Sequence, residues 1–289
     1  MNTFASKLPR RSFFAMLPAL LTACSGADLL NATVPTDTYR RTQGLAYGLD
    51  PRQLLDVYQP DAGMRNAPLV VFFYGGSWSA GDRGDYRFVG EALASRGIVA
   101  VVADYRLSPA FRYPAFVQDS ASAVRWAFEH AAEFGADEKR IFVMGHSAGA
   151  YNAAMVALDS RWLAAVGLTP SRLAGWIGLA GPYDFLPIGD ARTRVAFNWP
   201  DTSADTQPMA HASQASPPAL LLAASIDSVV NPQRSTVALA RRLTTHGVKV
   251  ESALFDGVGH VTLLGSVAQV LRAKAPVLER VTQFVQATG

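Results

Sequence analysis

Cysteine is almost missing from this chain: Cys24 is the only one in 289 residues. A single thiol excludes an intrachain disulfide framework and a cysteine-built metal cluster, so stability must come from packing. Charge is sparse as well, at 17% Asp, Glu, Lys and Arg, and the formal excess of +3 sits at one end. Lys7, Arg10 and Arg11 all precede the first acidic residue, Asp28, which leaves 23 basic against 23 acidic residues in the rest. A charge-balanced body implies no basic face, so nucleic-acid binding and adhesion of the folded part to anionic lipid are not expected. The sequence also lacks repeats, low-complexity tracts, a His-Glu-x-x-His pair, an Asp-rich calcium loop and a glycine-rich phosphate loop. Neither a metal nor a cofactor is therefore expected.

What is present begins with a leading segment that does not look like fold. A positive stretch ends at Arg11, an apolar run follows from Phe13 to Leu21, and small residues precede Cys24. That run is too short to cross a bilayer as a mature helix. Leu21-Thr22-Ala23-Cys24 resembles the lipobox of bacterial lipoproteins, and Pro9-Arg10-Arg11-Ser12-Phe13-Phe14 resembles a twin-arginine export signal. The plainer alternative is an ordinary cleaved signal with an incidental cysteine. The expected organisation is a signal peptide over 1–23, a lipid-anchored linker over 24–38 and one domain over 39–289. Such a protein is exported to the bacterial periplasm and held at a membrane, outer rather than inner, by its N-terminal lipid alone.

At 49% hydrophobic residues over its full length, the chain has enough apolar surface for a large single core. Strand-like and helix-like patterns alternate along it. Leu45 to Tyr47 and Leu54 to Tyr58 read as an initial strand pair. Leu69 to Tyr74 and Ile98 to Ala103 are continuous apolar runs, as in strands covered on both faces. Further strands are expected at Arg140 to Met144, Gly175 to Ala180, Ala219 to Ser225 and Lys249 to Leu254. Helical spacing marks Phe88 to Ala94, Phe116 to Ala132, Ala150 to Leu158, Pro232 to His246 and Pro276 to Ala287. This alternation predicts an α/β domain on a mostly parallel sheet flanked by helices.

In such sheets chemistry collects where loops leave the carboxyl ends of strands. Gly145-His146-Ser147-Ala148-Gly149 lies between an apolar strand and a helix, which is the setting of a nucleophile elbow. A serine hydroxyl needs a base to take its proton, so the turn must lift it clear of the backbone. After another strand, Tyr74-Gly75-Gly76-Ser77-Trp78 has unhindered amides. Gly76 and Ser77, with Ala148, are the candidate donors for an oxyanion. Asp227 and His260 follow strands in the C-terminal third, giving the order serine, acid, histidine. His260 ends a Gly-Val-Gly-His turn and is the candidate base; Asp227 is the candidate acid, with Asp184 as its rival. His130 and His246 fall on helices and are expected to face solvent, His211 lies in a polar loop, and the elbow is expected to turn His146 away from the base.

As a set, Tyr74 to Trp78, Asp104-Tyr105-Arg106-Leu107-Ser108-Pro109, Tyr113-Pro114 with Asp119, and Gly145 to Ala150 resemble one branch of the α/β hydrolases. That branch holds hormone-sensitive-lipase-like carboxylesterases, isoprenylcysteine methylesterases and kynurenine formamidases. The resemblance runs from about Leu54 to the C-terminus. It implies an α/β-hydrolase fold and a serine hydrolase acting on a small-molecule ester, with no cofactor. The family's oxyanion loop reads His-Gly-Gly-Gly; here Tyr74 stands for the histidine and Ser77 for the third glycine. The resemblance also implies that Arg106 and Asp119 brace the sheet and that Tyr74 takes over the histidine's supporting role.

Residues 182–216 break the alternation and are expected to form a small insertion over the site. Trp78 with Tyr183, Phe197 and Trp199 are the candidate pocket residues, suited to an apolar acyl or aryl group. Short-acyl esters are the expected substrates. An amide or formamide would use the same machinery, and a catalytically silent binding lipoprotein is the remaining alternative.

Overall fold

The continuous apolar runs become the middle of one sheet. In the computed structural model, which describes Met1 and residues 26–61 and 64–288, the strands are β1 (Tyr39–Ala46), β2 (Leu54–Pro60), β3 (Ala67–Phe73), β4 (Val99–Ala103), β5 (Ala136–His146), β6 (Gly175–Leu179), β7 (Ala219–Ala224) and β8 (Val250–Phe255). Cys24 and, beyond Met1, the expected signal peptide lie outside the described residues. The sheet order is β1-β2-β4-β3-β5-β6-β7-β8. β1 and β2 are antiparallel to each other, and β2 is antiparallel to β4; every pairing from β4 to β8 is parallel. All residues of β3, β4, β6 and β7 are buried, as are those of β5 from Ile141 on. The edge strands β1 and β8 are mixed and half-exposed, which keeps the open edges from offering a flat apolar template.

Helices cover both faces: α1 (Gly26–Ala32), α2 (Arg87–Ala94), α3 (Ala115–His130), α4 (Ala148–Leu158), α5 (Ser160–Ala164), α6 (Ala191–Ala196), α7 (Ala238–Thr245), α8 (His260–Gly265) and α9 (Val277–Ala287). All eleven residues of α4 are buried. Its run of alanines with Tyr151, Met155 and Val156 has no polar stripe, as befits a helix enclosed on every side. The expected helix from Pro232 to His246 is divided: a wider π-type turn over Gln233–Val237 precedes α7.

Within the expected linker, residues 26–32 form α1, which is docked on the body. Asn31 holds it there: its side-chain amide donates to the Gly84 carbonyl at 3.0 Å, and its Oδ1 accepts from the Phe88 amide at 3.1 Å. Arg87 also donates to the Asn31 carbonyl. These bonds are long-range and polar, and no apolar period announces them.

Resemblance assigned Arg106 and Asp119 a bracing role, and they form a two-pronged ion pair with N–O distances of 2.7 to 3.0 Å. Asp119 also accepts from Gln53 Nε2 and the Arg106 amide, so its buried charge is fully paired.

Candidate active site

Ser147 sits between β5 and α4 with φ 54° and ψ −122°, a conformation side chains rarely adopt. Two neighbours make the turn sterically achievable. A Cβ on Gly145 would lie 2.1 Å from the Gly149 carbonyl oxygen, and one on Gly149 would lie 2.0 Å from the Phe73 carbonyl oxygen. These glycines are required by close approach of backbone, since neither has a positive φ. The Ser147 amide donates to the Leu179 carbonyl at 2.9 Å, pinning the strained residue to β6.

The structure brings Ser147, His260 and Asp227 together from three loops. Ser147 Oγ is 2.8 Å from His260 Nε2, and His260 Nδ1 is 2.7 Å from Asp227 Oδ2. Burial works against the Asp227 carboxylate. Bonds from His260 and from the amides of Val230 and Val229 outweigh it, so its pKa lies below the usual range. Those amides reach Oδ1 at 2.9 and 2.8 Å, leaving Oδ2 for the imidazole. Asp184, the rival acid, instead pairs with Arg234 at 3.1 Å on the surface.

Facing the hydroxyl is the loop after β3. Gly76 has φ 128°, and a Cβ there would meet the Ala80 carbonyl oxygen at 2.2 Å. Ser77 and Trp78 follow at φ 51° and 54°, in the region glycine favours. The amides of Gly76, Ser77 and Ala148 make no backbone hydrogen bond among the described residues. Ala148 opens α4, whose N-terminal dipole end favours negative charge. The loop is anchored from behind by Tyr74, which donates to Asp104 Oδ1 at 2.7 Å and accepts from Arg52 at 2.7 Å. Arg83, half-buried, bridges the buried carboxylates of Asp104 and Asp56, so a chain of paired charges underlies the loop.

A cavity of about 530 Å³ opens onto Ser147 and is lined by Ser77, Trp78, Ala148, Phe185, Ile188 and Val230, among others. Trp78, one of the expected pocket residues, is thus among those lining it. Three other expected pocket residues do not line this cavity. Tyr183 is fully buried against Trp176, and its ring fills a slot left by two glycines: a Cβ on Gly178 would lie 1.9 Å from its hydroxyl oxygen. Phe197 packs edge-on behind Trp78 at 4.8 Å, one layer back from the cavity. Trp199 is half-buried against the core. Aromatic composition reveals that the insertion packs, but not which ring faces the void. Phe185 was missed for that reason, and the aliphatic Ile188 carried no aromatic signal at all.

Two histidines also differ from expectation. His130 is half-buried, stacked on Trp126 at 4.3 Å with Nδ1 on the Trp126 carbonyl. His146 stays close to the base, with Nε2 2.9 Å from the His260 carbonyl oxygen.

A family profile described as BD-FAE matches residues 55–243. The chain belongs to the BD-FAE family. The matched segment contains Ser147 and Asp227 and ends before His260, so the third member of the set rests on the geometry above. Among curated proteins, this BD-FAE member is 28% identical over 243 residues to a probable isoprenylcysteine alpha-carbonyl methylesterase of Arabidopsis thaliana, covering 76% of this chain and 51% of that one. It is also 28% identical over 241 residues to esterase LipC of Mycobacterium tuberculosis, covering 77% and 60%. The chain spans about half to three fifths of the length of these relatives. Among solved structures, a thermostable esterase from Pseudomonas putida superposes with a TM-score of 0.69 at 27% identity, over 90% of this chain and 88% of that one. The fold is accordingly that of the α/β hydrolases, in their carboxylesterase branch.

Proposed function

We propose that this protein is a serine carboxylesterase, hydrolysing small esters with short-acyl or aryl acid groups through an acyl-enzyme on Ser147. The observation that carries this reading is the unbroken chain Asp227–His260–Ser147, at 2.7 and 2.8 Å, beside the amides of Gly76, Ser77 and Ala148, which make no backbone hydrogen bond among the described residues. His260 Nε2 takes the Ser147 proton as Oγ attacks the ester carbonyl, and the oxyanion forms toward the amides of Gly76, Ser77 and Ala148. The imidazolium, held by the Asp227 carboxylate, returns that proton to the leaving alcohol. Water then repeats the sequence on the acyl-enzyme: His260 takes its proton, the carboxylic acid leaves and Ser147 is regenerated.

The cavity supports a small acyl group. Its volume falls within the range of small-ligand sites, and Trp78 closes one wall with Phe116 stacked on it and Tyr151 and Phe197 packed edge-on. A p-nitrophenyl ester series should peak at acyl chains of about two to four carbons; a peak at long chains contradicts this substrate class. Faster cleavage of N-formyl aryl amides than of matched esters would move the reading to a formamidase.

We also infer export and lipid anchoring at Cys24, supported by Leu21-Thr22-Ala23-Cys24 and the basic residues before it. In the sequence, Ser25 alone separates Cys24 from α1. A metabolic lipid label should enter the wild type and not Cys24→Ala; equal labelling would remove the anchor.

A further inference from the structure

His146 ends β5 and is 5% exposed, a buried titratable group for which the proposed reaction has no use. Its ring centroid is 5.0 Å from that of His260. Nε2 lies 2.9 Å from the His260 carbonyl oxygen. A carbonyl only accepts, so Nε2 must carry the proton and donate. On the other side stands Gly75, the residue before the oxyanion donor Gly76. A Cβ on Gly75 would lie 3.2 Å from His146 Nδ1 and 2.9 Å from Ser147 Cβ, so the loop backbone packs flat on the elbow at this point. One imidazole therefore touches the elbow, the base-bearing loop and the oxyanion loop.

We propose that His146 is a positioning residue, whose Nε2–H fixes the His260 backbone against the Ser147 elbow and the oxyanion loop. The inference rests on the serine-hydrolase reading above. A phenyl ring would fill the same space, so the distinguishing feature is the donated bond. It spans 114 positions of sequence and holds the main chain of the residue whose ring must stay within hydrogen-bond reach of Oγ. Displacing such a group by about 1 Å costs up to about a hundredfold in rate. The donor is also uncharged: burial above all, and then the neighbouring His260, push its pKa down to about 3. A neutral donor suits the place, because a second cation beside His260 would oppose the imidazolium that the reaction forms.

The test uses His146→Phe, His146→Gln and His146→Asn, with Ser147→Ala as reference, on p-nitrophenyl acetate. Glutamine can present an amide N–H where Nε2 stood; asparagine falls short of the carbonyl. With thermal stability near wild type, His146→Phe should lose about ten- to a hundredfold in kcat with KM nearly unchanged. His146→Gln should recover most of that loss. If the phenylalanine variant does not fold, the comparison of Gln with Asn carries the test, the first active and the second impaired. A folded His146→Phe with wild-type kcat, or a Gln variant as impaired as Asn, overturns the proposal. Full activity in Ser147→Ala would instead overturn the serine mechanism.

Discussion

At the scale of single residues, the two candidate acids separate by partner. Asp227 has one oxygen on His260 and the other on two amides, whereas Asp184 is spent on Arg234. Asp227→Asn is expected to cut kcat by about 10³ to 10⁴, and Asp184→Asn to leave it near wild type; steady-state kinetics of the two variants checks this. Sequence order alone left both acids open, because each follows a strand. His146 has a consequence for stability. Its folded-state pKa of about 3 lies below the value of about 6.5 in an unfolded chain. Below that upper value the unfolded chain binds a proton that the native state excludes, so native stability falls as the pH drops toward 3. The limiting slope is about 1.4 kcal/mol per pH unit for this one group, with His260 and Asp227 the titratable groups that face it. Asp227 acts in the same direction at lower pH, since its depressed pKa gives stability that is lost as pH falls through it. Urea unfolding across the acidic range should show a shallower pH dependence in His146→Gln than in wild type.

At the scale of elements, the elbow is governed by how closely β3, β5 and α4 approach. Gly149→Ala would force a methyl group to within 2.0 Å of the Phe73 carbonyl carbon's oxygen, which is backbone and cannot swing aside. A loss of about 3 kcal/mol or more is expected, measurable as a lowered urea midpoint. The buried strands were legible because a run such as Leu69 to Tyr74 or Ile98 to Ala103 has no polar side to turn outward. The elbow was legible for a related reason: its glycines and serine lie in one short stretch between a strand and a helix. Elements held by distant polar bonds were not. Asn31 reaches Gly84 and Phe88 across more than fifty positions, and nothing in residues 26–32 signals that α1 is docked. The insertion over the site hid its geometry likewise, since Tyr183 and Phe185 are both aromatic and only the slot above Gly178 decides which one turns inward.

At the scale of the whole molecule, an eight-stranded sheet among the described residues delivers three groups, 113 and 33 positions apart in sequence, to adjacent loops at one end. Covering both faces of the sheet leaves the loops at its carboxyl ends as the place where side chains can meet substrate. The ion pairs of buried Asp56 and Asp104 with the half-buried Arg41, Arg52 and Arg83 then hold the loop after β3 to the body, and packing takes the place of disulfides. The central claim is that this arrangement makes one hydroxyl, that of Ser147, nucleophilic. Intact mass after treatment with a fluorophosphonate tests it most directly. A single stoichiometric adduct mapped to Ser147, absent from a folded Ser147→Ala variant, is the expected result; a folded wild type that takes up no adduct, or a Ser147→Ala variant labelled equally well, would contradict it.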